Sequence, residues 1–277
     1  MIQTNAPIIN HQAVGPDCAR MTLAAPAIAG PAVPGQFVMV RLTNGRSPFL
    51  PRPFSIHRVS PDRAELAILY KVVGPGTRQM AALTGGDSLN LVGPLGRGFD
   101  IPGQARQITL AAGGMGVAPL VFLAETLAGD GRDLSACRIF IGGCAENDIL
   151  CRDHFTDLAL PLAIATEDGS CGQAGLVTAP LETHLAGQTP DLVCACGPVP
   201  MLAAVAGLAA RHHIPCQVSI ETMMACGIGA CLGCAVRPAG DSARYFHACQ
   251  DGPVFAADQI DLASLAGAAR PAGGISS

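Results

Sequence analysis

No stretch of this 277-residue chain is rich enough in Lys and Arg to follow a phosphate backbone, and the formal net charge is only −4. Nucleic acid is therefore not expected as a partner. The N-terminus, Met1-Ile-Gln-Thr-Asn, has neither the basic segment nor the apolar core of a secretory leader. An unbroken apolar run is missing too. The most apolar stretch, 108–128, carries Gly113, Gly114, Gly116 and Pro119 in its first half and Glu125 near its end. A strand–loop–helix unit accounts for it better than a membrane span, so no membrane attachment is expected.

What the chain does have is cysteine, 12 in all, and an apolar fraction of 49 %. The length suits two domains with a small third. Twelve thiols without a leader point to a reducing compartment, hence the cytoplasm, and to metal or redox use rather than disulfides. Four of them form one constellation: Cys226-Gly-Ile-Gly-Ala-Cys231-Leu-Gly-Cys234, with Cys249 following later, a C-x4-C-x2-C-x14-C spacing. The first three have the spacing of plant-type [2Fe–2S] ferredoxins. Gly227, Gly229 and Gly233 can adopt positive φ cheaply, which lets the loop turn its N–H groups toward a negatively charged cluster. Structural zinc is the competing use, although three ligands within nine residues and one distant make a poor pair of zinc knuckles. Ordinary buried thiols in a Cys-rich chain are the other. The remaining eight, Cys18, Cys137, Cys144, Cys151, Cys171, Cys194, Cys196 and Cys216, lie mostly in apolar surroundings and read as small buried hydrophobes.

Residues 1–102 contain short apolar runs punctuated by Pro and Gly and no helical periodicity, the pattern of a small antiparallel β-barrel. Three spots there could carry chemistry. Arg52-Pro53-Phe54-Ser55 offers a guanidinium fork, a flat ring and a hydroxyl, in a piece expected to end on a strand. Leu69-Tyr70-Lys71 runs into Gly74-Pro-Gly76-Thr77, where Thr77 is expected to N-cap a helix reaching about Leu83 and so to face a phosphate. Gly93-Pro-Leu-Gly96-Arg-Gly98-Phe99 is expected as a loop closing the barrel.

From 103 to 218 the pattern alternates. Strands beginning near Gln107, Cys137, Pro161, Leu192 and Cys216 are apolar on both faces, with helices over 119–127 and 200–212 among the crossovers. This is a doubly wound parallel sheet, which binds ligands at its strand C-termini. Gly113-Gly114-Met-Gly116-Val-Ala-Pro119 follows the first strand, Gly142-Gly-Cys-Ala-Glu-Asn the second and Cys196-Gly197-Pro198 the fourth. Three such turns on one edge make a nucleotide cleft, with Pro119 suited to a helix start. No Arg follows the second strand where a 2′-phosphate would sit, which leans toward NADH over NADPH. His212 and His213 complement a helix C-terminus. The segment after Leu265 is rich in Ala, Gly, Pro and Ser and is expected to fray.

In this order, Arg52-Pro-Phe-Ser55, Tyr70-Lys71 with Gly76-Thr77, Gly113-Gly-Met-Gly-Val-Ala-Pro, Cys196-Gly-Pro and the Cys226 to Cys249 segment resemble the electron-transfer subunits of class 1B dihydroorotate dehydrogenases, a branch of the ferredoxin reductase superfamily. The resemblance spans about residues 15–262. It implies an FAD barrel (1–102), an NAD domain (103–218), a small [2Fe–2S] domain (219–265) and a flexible tail (266–277). It implies that Arg52, Pro53, Phe54, Ser55, Leu69, Tyr70, Lys71, Gly76 and Thr77 hold FAD. Gly113, Gly114, Gly116, Cys196, Gly197 and Pro198 would meet NAD, and Cys226, Cys231, Cys234 and Cys249 the cluster. The implied partner is an FMN-containing dihydroorotate dehydrogenase, two copies of each chain forming a heterotetramer, with electrons running from partner FMN to cluster to FAD to NAD⁺ and no catalytic acid or base in this chain. The sequence departs from the family at Ala112, often glycine, and at Phe54, commonly aliphatic. The same motifs also suit a flavin and iron–sulfur subunit of a hydrogenase or sulfur reductase. A zinc-stabilised nucleotide module without redox work is the reading from another class.

Overall fold

The computed structural model describes residues 1–42, 49–240 and 244–268. The N-terminal part comprises β1 (Ile2–Gly15), β2 (Cys18–Ala24), the single-turn α1 (Pro26–Ala29), β3 (Phe37–Arg41), β4 (Arg52–Val59), β5 (Glu65–Lys71), α2 (Pro75–Ala81) and β6 (Ser88–Leu95). The strands close into an antiparallel barrel in the order β1-β2-β5-β4-β3-β6. Alternation drives the closure: Met21 and Leu23, Leu66, Ile68 and Tyr70, and Leu89 and Leu91 point inward and are buried, while their neighbours face outward. The 14-residue β1 has only Ala6 and Ile8 fully inside, and its existence depends on pairing with both β2 and β6. Arg52–Ser55 opens β4 rather than ending a strand, and Gly93-Pro94-Leu95 is the last part of β6, so the loop begins only at Gly96.

The α/β part follows with β7 (Ile108–Gly113), α3 (Val117–Gly129), β8 (Arg138–Gly143), α4 (Arg152–Asp157), β9 (Leu162–Thr166), β10 (Gln173–Ala174), α5 (Thr178–Gly187), β11 (Leu192–Cys196), α6 (Val199–Arg211) and β12 (Cys216–Ser219). The C-terminal segment adds the two-residue hairpin strands β13 (Ala235–Val236) and β14 (Phe246–His247), then β15 (Val254–Ala256) and α7 (Leu262–Ala268). β15 pairs antiparallel with β12, giving a seven-stranded sheet β10-β9-β8-β7-β11-β12-β15. The order reverses between β7 and β11, which opens a crevice at their C-terminal ends.

α3 is buried on nearly every side. It lies between the sheet and the barrel: Leu120, Val121 and Leu123 join the sheet core, while Phe122 joins the barrel core. That double burial explains why its sequence is apolar all round. A third core mixes Phe37, Met39 and Leu95 of the barrel with Leu202 and Val205 of α6 and with Cys234, Val236 and Cys249. Barrel, sheet and cysteine segment therefore meet in one contiguous interior.

Several expectations change. Pro119 lies in the first turn of α3, which begins at Val117 after a 3-10 turn over Gly114–Gly116. Thr77 is the third residue of α2, not its cap; Gly74 caps it, and the Thr77 hydroxyl accepts from the N–H groups of Val73 (2.9 Å) and Gly74 (3.1 Å). Cys18, Cys137, Cys194 and Cys196 are buried as expected, but Cys144 is exposed and Cys151, Cys171 and Cys216 are half-buried. Residues 266–268 continue α7, and the remainder of the expected tail, 269–277, lies outside the described residues.

Candidate cofactor sites

A cleft of about 480 Å³ opens between the barrel and the sheet. Its walls include Arg52, Pro53, Phe54 and Ser55 from β4, Leu69, Tyr70 and Lys71 from β5, Gly76 and Thr77 from α2, and Cys196 from the end of β11. The antiparallel ladder brings β4 and β5 side by side, so two stretches separated in sequence share one wall. The Arg52 guanidinium lies across Gly76, where a Cβ would stand 2.7 Å from Arg52 Nε. Glycine is needed there for close approach. The Phe54 ring meets Tyr70 edge-on, with centroids 6.0 Å apart. His11 donates from Nδ1 to the Leu83 carbonyl (2.7 Å), so its Nε2 accepts from the Tyr70 hydroxyl (2.8 Å). Tyr70 thus offers the cleft its ring, and burial pushes its phenol up to about 12.

The far wall was not expected. Ser219, Glu221, Thr222 and Met224, running from the end of β12 toward the cysteines, line the same cleft with Met115. The Thr222 hydroxyl oxygen is buried there without a hydrogen-bond partner among the described residues, and such a group calls for a ligand or water. Glu221 is accessible within the cleft, yet the surrounding walls desolvate its carboxyl and raise it above the usual carboxylate range. The available signal was positional: the segment leaves the C-terminal end of a parallel strand, where such sheets bind ligands.

The four motif cysteines gather as two pairs, Cys226 with Cys231 and Cys234 with Cys249; among the described residues no three His, Cys, Asp or Glu side chains stand together as the ligands of one metal ion. Cys234 and Cys249 are buried with their sulfurs 3.3 Å apart. The N–H groups of Ile228 and Cys231 each point at Cys226 Sγ (3.4 Å), that of Gly229 at Cys249 Sγ (3.2 Å) and that of Gly233 at Cys231 Sγ (3.5 Å). Gly227 (φ 72°), Gly229 (φ 80°) and Leu232 (φ 59°) turn these amides inward; Leu232 rather than Gly233 takes the third left-handed position. Burial raises the Cys226 thiol, but the amides of Ile228 and Cys231 outweigh it and bring it down to about 7. Burial and the neighbouring Cys234 push Cys249 up to about 12. Amides gathered on sulfur, with thiols grouped as Cys226/Cys231 and Cys234/Cys249, fit a two-iron cluster whose sulfurs accept N–H bonds. The loop is seated on the barrel, since a Cβ on Gly227 would strike Met39 of β3.

A second cleft of about 430 Å³ lies at the C-terminal ends of β7, β8, β9 and β11. Gly113, Gly114 and Pro198 line it, while Cys196 lines the first cleft instead. Gly116 and Gly197 line neither cleft. A Cβ on Gly116 would overlap the Cys196 carbonyl, and one on Gly197 would stand 2.7 Å from Met201 Cε. Their role is to let the two turns touch. The charged side chains of this lining are Asp148 and Glu167. Asp148 accepts from the N–H groups of Cys144 (3.2 Å) and Ala145 (3.3 Å) and pairs with Lys71 at 3.5 Å. Lys71 belongs to the first cleft, so this ion pair joins the two.

Along 92 % of its length the chain is 39 % identical to a dihydroorotate dehydrogenase B (NAD(+)) electron transfer subunit of Desulforamulus reducens, covering 97 % of that protein. It belongs to the family of dihydroorotate dehydrogenase B electron-transfer subunits. A relative of that name from Listeria innocua is 36 % identical over 95 % of this chain and all of its own length. The family description "Iron-sulfur cluster binding domain of dihydroorotate dehydrogenase B" matches residues 221–261, and "Oxidoreductase NAD-binding domain" matches 110–207. Among solved structures, an NADH-dependent reduced ferredoxin-NADP oxidoreductase superposes with a TM-score of 0.84 at 26 % identity, covering 96 % of this chain and 92 % of its own. A ferredoxin NADP⁺ reductase from Neisseria gonorrhoeae with bound FAD and NADP shares the fold, with a TM-score of 0.65 at 16 % identity over 76 % of this chain and 91 % of that one. Among the described residues no helix is long and apolar enough to cross a membrane.

Proposed function

We propose that this chain carries electrons between a dihydroorotate-oxidising partner and NAD⁺, holding FAD in the first cleft, a [2Fe–2S] cluster on Cys226, Cys231, Cys234 and Cys249, and the dinucleotide in the second cleft. When bound, a flavin accepts or gives up electrons singly or as a hydride pair, which lets it stand between a nicotinamide and an iron–sulfur cluster. The residues of the chain supply position and electrostatics. Arg52 supplies a cation to the flavin's phosphates, Ser55 and Thr222 supply hydroxyls, and the rings of Phe54 and Tyr70 supply flat apolar walls. Gly113 and Gly114 keep the turn after β7 low enough for a pyrophosphate. The working units run over 1–102, 103–218 and 219–265, and the protein works in the cytoplasm.

The single observation that carries this reading is adjacency. Thr222 and Met224 line the flavin cleft, and Cys226 stands two residues after Met224. Single-electron exchange needs such a short path. Ile228 and Leu232, 40 % and 58 % exposed on the cysteine loop, give it an apolar rim for the FMN-bearing partner, in an assembly of two copies of each chain. The family relationship along nearly the whole chain favours this over a hydrogenase or sulfur reductase subunit, and the match of residues 221–261 to an iron–sulfur cluster binding domain favours a cluster over zinc.

The test is Cys234→Ser in the complex with the partner. The variant is expected to lose the cluster and electron exchange with the partner while NADH still bleaches its FAD. Exchange at the wild-type rate would overturn the proposed route.

A further inference from the structure

We propose that the trough between the barrel and α4 holds a small phosphate-bearing anion, gripped by Arg20, Arg58 and Arg152, and that the anion ties the barrel to the α/β half. A cavity of about 330 Å³ opens there, on the outer face of β2, β5 and β4, walled by the start of α4 and the loop before it. It shares only Leu69 with the first cleft and no residue with the second. Strand alternation places its first cation: Ala19 and Met21 point into the barrel, so Arg20 between them points out, opposite Leu69 of β5. Arg58 flanks β5 from the other side, opposite Ala67, a side chain too small to separate the two guanidiniums.

The charges around this cavity are not matched. Arg58 Nη2 meets Glu125 at 2.6 Å, and His154 Nε2 approaches the same carboxylate at 3.1 Å, so that one anion is already shared. Arg152 is loosely held, its Nε 3.8 Å from Asp153, which is 95 % exposed, and its Nη1 3.9 Å from the Cys171 sulfur. Arg20 is half-buried, and its guanidinium has no hydrogen bond or ion pair among the described residues. Glu146, the other carboxylate of the lining, is exposed. Arg20 and Arg58 are felt at the same two neighbours: with burial they lower His57, and they oppose the burial that raises the Cys151 thiol. Both cations therefore reach one small volume. A guanidinium presents five N–H donors in a plane, and leaving it half-buried without an acceptor is costly. Phosphate oxygens match that fork two at a time, and three forks suit a group carrying more than one negative charge. Arg20 and Arg58 belong to the barrel and Arg152 to α4, so the bound anion bridges them.

Calorimetry and thermal unfolding of the purified chain with its cofactors bound, at low ionic strength, test this; saturating NAD⁺ keeps the probes out of the second cleft. The probes are inorganic pyrophosphate and glycerol 3-phosphate, which separate a free polyphosphate from a phosphate ester as the source. At least one is expected to bind once per chain and to raise the unfolding midpoint. Arg20→Gln and Arg152→Gln should each weaken that binding about tenfold, the worth of one hydrogen bond between charged groups, with flavin content and bleaching by NADH as in wild type. Arg152 is exposed, so its variant carries the test should Arg20→Gln fail to fold. Arg211→Gln, on α6 where Arg211 pairs with Glu182, removes the same charge elsewhere and should bind as wild type does. Equal losses in all three variants would reduce the effect to net charge and overturn the site. Wild-type affinity in either folded trough variant, or no binding of either probe at millimolar concentration, would overturn it as well.

Discussion

His57 shows how one side chain couples the two halves of the molecule to pH. It is 1 % exposed on β4 and donates from Nδ1 to the Ala118 carbonyl of α3 at 3.0 Å. Burial first, then the cations Arg20 and Arg58, lowers its pKa from 6.5 to about 4, against the opposing pull of that carbonyl and of Glu125. The depressed value means the unfolded chain takes up a proton that the folded chain refuses. The contribution is complete above pH 6.5 and is lost as pH falls toward 4, about 3 kcal/mol in all. Urea midpoints between pH 7 and pH 4.5 should fall steeply for wild type, and His57→Gln should flatten that fall; equal slopes would contradict the assignment. At this scale the cysteines and Arg52–Ser55 were legible because their spacing is itself the signal. Thr222, Glu221 and the left-handed Leu232 were not, because nothing local to the sequence marks a single polar side chain facing a distant wall or a turn set by sulfur.

Among elements, the turn between β7 and α3 is the most constrained. Gly116 leaves no room for a Cβ against the Cys196 carbonyl, whereas Gly129 at the end of α3 has open space around its would-be Cβ. Gly116→Ala must push two backbone segments apart and is expected to lower stability by about 1–3 kcal/mol, as overpacking does, and to weaken NADH binding. Gly129→Ala should be neutral or stabilise by about 0.5–1 kcal/mol. Denaturant unfolding of the pair checks this; equal effects would show that the contact is not tight. The strands β7, β8, β9, β11 and β12 could be read from the sequence within a residue or two because burial on both faces leaves continuous apolar runs. β1 escaped notice because its polar residues carry no alternation and tertiary pairing alone makes it a strand. β15, three residues long, completes the sheet from beyond the cysteine loop, and no local pattern announces an edge strand borrowed from another segment.

For the whole molecule, the arrangement matters more than any single site. Both clefts open at the C-terminal edge of one sheet, Lys71 and Asp148 tie them together, and the cysteine loop is seated on the barrel through Met39. The order of motifs along the chain foretold which parts are present; their adjacency comes from the shared core of barrel, α6 and cysteine segment. The most direct measurement is anaerobic: the visible spectrum, iron and acid-labile sulfide of the purified chain, followed by electron paramagnetic resonance after NADH is added. One FAD and two irons with two sulfides per chain are expected, with a flavin band bleached by NADH and a reduced-cluster signal. Colourless protein holding neither flavin nor iron would contradict it.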